Sequence, residues 1–207
     1  MTLLAVETPH GRANAHLHPA AGEPKAALVL GHGAGGGVAS RDLAAVTSVA
    51  RSEGFSVALV EQPYRVAGRR SPAPAHQLDA AWTAVIDYLL AGELRGRRLV
   101  VGGRSSGARV ACRTAGATGA VGVLCLAFPL LPPGRAATTP SRLPELDAVT
   151  VPTLVVQGAR DPFGIPPAAA RRTVVQVPGD HSLRTDIGAV ADAVRAWLPG
   201  LVDNEKA

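Results

Sequence analysis

A serine lies between two glycines in the segment Gly103-Arg104-Ser105-Ser106-Gly107, directly after the apolar run Leu99-Val100-Val101-Gly102. An apolar helical pattern follows, so the serine occupies a sharp turn between a predicted strand and a predicted helix. That context is typical of a nucleophile elbow, in which the turn exposes a reactive hydroxyl. Ser106 does not fit the same spacing, because the positions two residues before and after it are not glycine. Ser105 is therefore the predicted nucleophile.

A base and an acid follow the serine in the chain. A serine hydroxyl attacks a carbonyl only with help from a neighbouring base, which a third group must orient. Asp161 comes after the apolar run 153–157, and His181 comes after the run 173–177. The order serine, aspartate, histidine is one in which such triads occur. Asp180 is a rival acid, but its position next to His181 makes contact between the two side chains awkward.

The glycine-rich segment Gly31–Gly37 follows another apolar run. It lacks the Lys-Ser/Thr pair of a P-loop and the full pattern of a dinucleotide-binding turn, although Glu61 at the end of the next strand keeps nucleotide binding as an alternative. We interpret the segment as part of an oxyanion hole, because two main-chain N–H groups stabilise the charge of a tetrahedral intermediate. The predicted donors are the N–H groups of Ala34 and Ser106.

The apolar pattern predicts alternating strands and helices. Strands are expected at about 2–7, 13–18, 26–30, 56–60, 98–102, 121–128, 153–157 and 173–177, and helices at about 41–53, 75–91, 106–115 and 186–198. The first two strands are expected to form a hairpin of edge strands. The stretch 61–75 is expected to be irregular, and the Pro-rich stretch 129–147 to be loop with one short helical turn.

Most of the strand segments are unbroken apolar runs, which is typical of strands buried on both faces. We therefore predict the α/β class: a doubly wound, mostly parallel sheet in a three-layer sandwich, formed by a single domain over residues 1–207. His32, Ser105, Asp161 and His181 each come just after a different predicted strand. Ligands bind at the carboxyl ends of strands in such sheets, so these four side chains are expected to share one site.

Composition argues against several other classes of protein. The 207 residues are 47% apolar but only 3% aromatic, and no apolar run approaches the ~20 residues that cross a bilayer. The formal charge of +5 comes mainly from scattered arginines, without the basic stripe and aromatics of a nucleic-acid surface. No signal peptide is evident at the N-terminus. We expect a cytoplasmic protein that binds neither nucleic acid nor membrane.

The sequence predicts neither a metal site nor an organic cofactor. His16 and His18 share one face of a predicted strand, but no third ligand accompanies them, so a surface pair is the better interpretation. Cys112 and Cys125 lie in apolar segments without Cys-x-x-Cys spacing, and we expect buried, inert thiols.

Taken together, these motifs resemble the α/β-hydrolase superfamily over nearly the whole chain. The sequence is most similar to the small dienelactone-hydrolase-like branch that includes the hydrolase-like domain of the human NSL chromatin-complex subunit. The strings that carry the resemblance are Gly31-His32-Gly33-Ala34-Gly35-Gly36, Pro63-Tyr64-Arg65 with Gly68-Arg69-Arg70, Gly102 to Arg109, Gln157 to Gly164, and Gly179 to Ser182. Ala108 departs from the pattern, since many relatives have glycine there. The resemblance implies an eight-stranded type of sheet and hydrolase activity, and the short segment after the strand at 121–128 implies no large helical cap.

The branch resemblance and the loop positions also suggest substrate-binding residues. The stretch from Tyr64 to Arg70 is expected to overhang the site, where Arg65, Arg69 and Arg70 would grip an acidic group by bidentate hydrogen bonds. His32 belongs to the glycine-rich turn and is included in this predicted set.

The leading hypothesis is a serine hydrolase that cleaves a small to medium carboxylic ester or thioester through an acyl-enzyme. The alternative is a binding or scaffold module that keeps the hydrolase fold without turnover. The sequence does not distinguish ester from thioester, and it leaves the oligomeric state open.

Overall fold

A computed structural model describes residues 1–132 and 140–202. The strands are β1 Thr2–Thr8, β2 Gly11–His18, β3 Ala26–Gly31, β4 Phe55–Glu61, β5 Arg98–Arg104, β6 Gly122–Leu126, β7 Thr153–Gly158 and β8 Arg172–Val177. The helices are α1 Arg41–Ser52, α2 Pro63–Val66, α3 Ala75–Ala91, α4 Ser106–Thr114, α5 Leu143–Asp147 and α6 Ile187–Trp197, followed by a 3₁₀ turn at Leu198–Leu201. From β3 to β7, helices separate successive strands, as the apolar pattern predicts; β8 then follows β7 without a helix between them.

All eight strands form one sheet with the order β1-β2-β4-β3-β5-β6-β7-β8. From β4 to β8 every pair of neighbours is parallel, whereas β2 is antiparallel to both β1 and β4. The prediction of two edge strands at the N-terminus is therefore wrong for β2. Residues Asn14 to His18 pair with β4, so β2 lies inside the sheet and β1 alone forms that edge.

The sheet separates two apolar layers, because successive side chains of a strand point to opposite faces. In β3, Ala27 and Val29 pack with the α3 and α4 layer, and Leu28 and Leu30 pack with the α1 and α6 layer. All residues of β3, β6 and β7 are buried, as expected for central strands covered on both faces. This arrangement confirms the doubly wound, three-layer α/β fold.

The structure differs from the sequence prediction mainly at loops. The stretch expected to be irregular contains α2, which begins at Pro63, a residue whose fixed φ suits the first helical position. The strand expected at 121–128 ends at Leu126, and Ala127 has a positive φ of 50°. The short helical turn expected in 129–147 is α5, while residues 133–139 of that stretch lie outside the described part.

No large cap covers the sheet in the described residues. Between β6 and β7, the described residues contain only the five-residue helix α5. No helix within residues 1–132 and 140–202 has both the length and the apolar character needed to cross a bilayer. Because the described residues form no large cap, the carboxyl ends of the central strands are accessible.

Candidate active site

Ser105 lies at the turn between β5 and α4, with φ 52° and ψ −107°. A positive φ is unfavourable for a residue with a side chain, and the surrounding structure must hold it in place. The Ser105 N–H donates to the Leu126 carbonyl at 2.9 Å, which fixes the turn against the neighbouring strand. A side chain at Gly107 would collide with the main chain of Gly31, so only glycine lets the elbow approach β3 this closely.

The predicted base and acid lie beside this serine. Ser105 Oγ is 2.9 Å from His181 Nε2, and His181 Nδ1 is 2.8 Å from Asp161 Oδ2. With the proton on Nδ1, the imidazole donates to the carboxylate and accepts the hydroxyl proton at Nε2. The Asp161 side chain is fully buried and the His181 side chain is 18% exposed. The loops after β5, β7 and β8 thus bring the three predicted residues together.

The Asp161 carboxylate is held by more than the histidine. Its Oδ1 accepts from the Phe163 N–H at 2.9 Å, and Gln157 Nε2 lies 2.8 Å from its Oδ2. Gln157 is completely buried at the end of β7 and also donates to the Phe128 carbonyl. The Phe163 ring packs edge-on against the His181 ring, with centroids 4.6 Å apart. These contacts fix the orientation of the acid and limit the movement of the imidazole.

Ala34 and Ser106, the predicted oxyanion donors, both line the same cleft as Ser105 and His181. Ser106 is the first residue of α4, where main-chain N–H groups have no intrahelical acceptor. The helix dipole also favours negative charge at this end. Within the described residues, the Ala34 N–H donates to no protein acceptor, which leaves it available to a ligand oxygen.

His32 and Tyr64 hold the glycine-rich segment 31–37 from behind, through hydrogen bonds to its main chain and to Gln62. His32 is 2% exposed, its Nδ1–H donates to the Gly33 carbonyl at 2.8 Å, and its Nε2 accepts from the Gln62 N–H at 3.1 Å. The Tyr64 hydroxyl donates to the Ala34 carbonyl at 2.9 Å, and burial raises the pKa of this phenol to about 12. The expectation of substrate contact therefore does not match the placement of either ring, since their polar atoms are used by the loop.

Arg69 and Arg70 also lie outside the cleft that contains the serine. That cleft has a volume of about 400 Å³ and is lined by Ala34, Gly35, Pro72, Arg104, Ser105, Ser106, Arg109, Pro129, Arg142, Phe163 and His181. Arg69 and Arg70 instead line a neighbouring depression that meets the cleft at Pro72. Arg65 is occupied within its own turn, where Nη1 donates to the Arg69 carbonyl at 3.4 Å.

Three other arginines line the cleft that contains Ser105, and none of them is among the site residues predicted from the sequence. Arg104 pairs with Asp42 at 2.9 Å, and Arg109 forms a bidentate pair with Glu145. Arg142 has no carboxylate partner among the described residues, and its Nη1 donates to the Pro129 carbonyl at 3.2 Å. Burial and the neighbouring Arg109 guanidinium lower the pKa of Arg142.

A few signals in the sequence pointed to these supporting residues. Gln157 interrupts an apolar run at its end, which marks it as a buried polar group that needs partners. Arg104 occupies the position directly before Ser105, the predicted nucleophile. Nothing local identifies Asp42 or Arg142, because their importance comes from the folding of distant segments onto the elbow.

The remaining polar candidates have partners away from the triad. Asp180, the rival acid, is exposed and accepts from the N–H and Oγ of Ser182, hydrogen bonds that lower its pKa. His16 lies 2.9 Å from Glu61. Within the described residues, no three His, Cys, Asp or Glu side chains are grouped as a metal site. Cys112 and Cys125 are buried free thiols with Sγ atoms 3.5 Å apart.

The comparisons with known proteins agree with this fold. Est1E from Butyrivibrio proteoclasticus aligns with a TM-score of 0.79 at 16% identity, over 98% of this chain and 99% of that chain. An α/β serine hydrolase without a lid from Xanthomonas campestris aligns with a TM-score of 0.75 at 20% identity, over 96% and 95% of the two chains. A dienelactone hydrolase from Anabaena variabilis aligns with a TM-score of 0.74 at 18% identity, over 96% of both chains. No curated protein matches the sequence significantly.

An elbow between β5 and α4, in a sheet of this order, defines an α/β-hydrolase fold. The chain belongs to the family described as alpha/beta hydrolase domain, whose model matches residues 24–188. The superfamily resemblance found in the sequence is confirmed, and the dienelactone hydrolase supports the suggested branch at the level of the fold.

Proposed function

We propose that this chain is a serine hydrolase that cleaves a carboxylic ester or thioester of a small to medium acyl substrate. The single observation that carries the proposal is the continuous hydrogen-bonded path from Ser105 through His181 to the buried Asp161, with distances of 2.9 and 2.8 Å. Each distance lies within hydrogen-bonding range, and each residue has the type that its role requires.

In the first half of the proposed reaction, Ser105 Oγ bonds to the acyl carbon while His181 Nε2 takes the hydroxyl proton. The carbonyl π electrons move to oxygen, where the N–H groups of Ala34 and Ser106 stabilise the resulting charge. Collapse of this intermediate expels the alcohol or thiol, which receives the proton from His181. Asp161 stays ionised and stabilises the imidazolium.

The second half repeats the same steps with water. Water bonds to the acyl carbon of the acyl-enzyme and gives a proton to His181, which then returns it to Ser105 Oγ as the acid leaves. The open cleft supports this step, since no large cap in the described residues hides the serine from solvent. A cleft of about 400 Å³ also fits small and medium acyl groups better than long chains.

The proposal is tested with a fluorophosphonate probe and with p-nitrophenyl esters and acyl thioesters of two to eight carbons. We expect Ser105 to be labelled, and Ser105→Ala to lower kcat by about 10⁴–10⁶-fold, the loss seen when a nucleophile is removed. Ser48→Ala, at an exposed serine on α1, is the matched control and should keep full activity.

Comparison of esters with thioesters of the same acyl group identifies the leaving group. Absence of both labelling and turnover in a folded protein would refute the hydrolase proposal. That result would instead favour the second candidate, a binding or scaffold module.

A further inference from the structure

We propose that Arg104, the residue before the nucleophile, is a positioning residue. It joins the loop that carries His181 and the glycine-rich segment 31–37, here called the oxyanion loop, to the elbow at Ser105. This inference rests on the proposed function, because its effect on turnover requires the Ser105–His181 pair to be catalytic. It goes beyond that function by assigning a role to the ion pair of Arg104 with the buried Asp42, outside the three triad residues.

One guanidinium contacts three separate segments. Arg104 Nε lies 2.9 Å from Asp42 Oδ2, in the first turn of α1. Arg104 Nη2 donates to the main-chain carbonyl of His181 at 3.0 Å. Its Nη1 lies directly against Gly33 of the oxyanion loop, where a Cβ atom would come within 2.9 Å of it.

Asp42 explains why the guanidinium stays in this place. The Asp42 side chain is 1% exposed, and a buried carboxylate is costly unless a cation and hydrogen bonds compensate for it. Arg104 supplies that cation, and the Leu43 N–H donates to the other carboxylate oxygen at 2.9 Å. Arg104 cannot move away without leaving this buried charge unpaired. Asp42 Oδ2 accepts no hydrogen bond among the described residues, so the contact holds the guanidinium by charge.

The contact with His181 has a direct consequence for the triad. Asp161 holds the His181 ring, but the ring is carried by a loop in which Leu183 has a positive φ of 52°. Such a backbone conformation is unfavourable and needs support from its surroundings. The hydrogen bond from Arg104 holds the main chain of the base, and Arg104 adjoins the nucleophile in sequence. Arg104 thus ties the main chain of His181 to the residue next to Ser105, in addition to the contacts of Asp161 and Phe163 with the His181 ring.

Lysine cannot replace this arrangement. A guanidinium is a rigid, planar fork with five N–H groups, whereas an ammonium group presents its donors from one nitrogen. A lysine at position 104 could pair with Asp42 or reach the His181 carbonyl, but its single nitrogen would not hold both in the observed geometry. The role therefore depends on shape as well as on charge.

The test compares Arg104→Met, Arg104→Lys and Asp42→Asn with Arg172→Met. Arg172 is a matched control, because this buried arginine also joins a carboxylate, Asp147 at 2.9 Å, to a main-chain carbonyl, that of Pro167 at 2.8 Å. It lies on β8 and does not line the catalytic cleft. Loss of stability alone should therefore appear in all four variants.

We expect kcat on short p-nitrophenyl esters to fall about 10- to 100-fold in Arg104→Met and Arg104→Lys with little change in KM, as for a small misplacement of reacting groups. Asp42→Asn should show a smaller loss of the same kind. Arg172→Met should keep its kcat. Added guanidinium should partly restore turnover to Arg104→Ala, in which the site is vacated, but not to Ser105→Ala.

A second readout does not depend on turnover. NMR of histidine-labelled protein detects the His181 Nδ1 proton shared with Asp161, and we expect its signal in the wild type and in Arg172→Met but not in Arg104→Met. An unchanged signal and unchanged kcat in folded Arg104→Met would overturn the inference while leaving the hydrolase proposal intact. If the wild type is inactive, the hydrolase proposal fails, and the NMR comparison alone decides the role of Arg104.

Discussion

Arg142 is an arginine of the Ser105 cleft that forms no ion pair within the described residues, although Glu145 is near enough to oppose the lowering of its pKa. Arg104 and Arg109, which line the same cleft, are each paired with a carboxylate. The guanidinium of Arg142 is partly buried and keeps donors that the Pro129 carbonyl does not use. An anionic group of a bound ester would therefore find its hydrogen-bonding partner here rather than at Arg69 and Arg70.

Replacing Arg142, or Arg69 together with Arg70, should show which of the two locations binds the anionic group of a substrate. We expect Arg142→Gln to lower kcat/KM about 10-fold for the p-nitrophenyl half-ester of a dicarboxylic acid, the effect of losing one charge-assisted hydrogen bond. Activity on the neutral ester of equal length should change little. The double variant Arg69→Gln/Arg70→Gln is the control and should retain both activities. Equal losses on the charged and the neutral ester would contradict a role of Arg142 in recognising charge.

At the level of elements, the elbow depends on how closely α4 approaches β3. The main chains of Gly31 and Gly107 are in contact, and the added methyl of an alanine at position 107 would meet the carbonyl oxygens of Gly31 and His32. Main-chain atoms of a central strand cannot move aside cheaply. The close approach also brings the first turn of α4, which begins at Ser106, against Gly31 and His32.

Gly107→Ala should accordingly disturb both stability and site geometry. We expect a loss of about 1–3 kcal/mol in the free energy of unfolding, as for other overpacked positions, together with slower fluorophosphonate labelling of Ser105. Gly116→Ala is the matched control, because nothing lies within 4 Å of a Cβ there, and it should change stability by less than ~0.5 kcal/mol. Chemical denaturation and labelling rates measure the two effects. A Gly107→Ala protein as stable as Gly116→Ala would show that the contact is not tight.

Much of the fold could be predicted because buried parallel strands leave unbroken apolar runs in the sequence. The run at 153–157 predicts β7, and its polar residue Gln157 comes just before the loop that carries Asp161. The strand ends also placed Ser105, Asp161 and His181 at one edge, where the structure brings them together. The position of β2 was missed because hydrogen bonding to β4 leaves no mark in its pattern.

The side-chain contacts that hold the candidate site in place could not be predicted in the same way. The pair between Arg104 and Asp42 joins residues that are far apart in sequence, and each has an ordinary surface type. His32 is a candidate ligand by residue type, yet its ring nitrogens are used by Gly33 and Gln62. Side-chain partners across a fold depend on backbone distances that a single sequence does not contain.

For the molecule as a whole, the buried His32 links stability to pH. Burial lowers the pKa of His32 from its ordinary value of 6.5, and the nearby Arg65 acts in the same direction, while the Gly33 carbonyl and Glu61 oppose it. The unfolded chain therefore binds this proton more readily than the folded chain. The free energy of unfolding should be highest above about pH 6.5 and should fall as the pH drops toward the folded-state pKa.

We expect His32→Gln to reduce this loss of stability between about pH 7.5 and 5.5, relative to the wild type. The exposed His76 provides the control, and His76→Gln should keep the wild-type slope. Burial also lowers the pKa of His18, but that residue is present in all three proteins and cancels in the comparison. Denaturant titrations at several pH values measure the slopes. Identical slopes for all three proteins would show that His32 is not the group responsible.

The order of the strands also has a consequence for biosynthesis. Ser105 follows β5, an inner strand of the sheet, whereas Asp161 and His181 follow β7 and β8, which lie on one side of it. During translation, Ser105 is therefore added to the chain well before Asp161 and His181, the groups that would activate its hydroxyl. The nascent chain carries an unassisted alcohol until β7 and β8 have emerged and joined the sheet, so any acyl transfer through Ser105 must wait for these two strands.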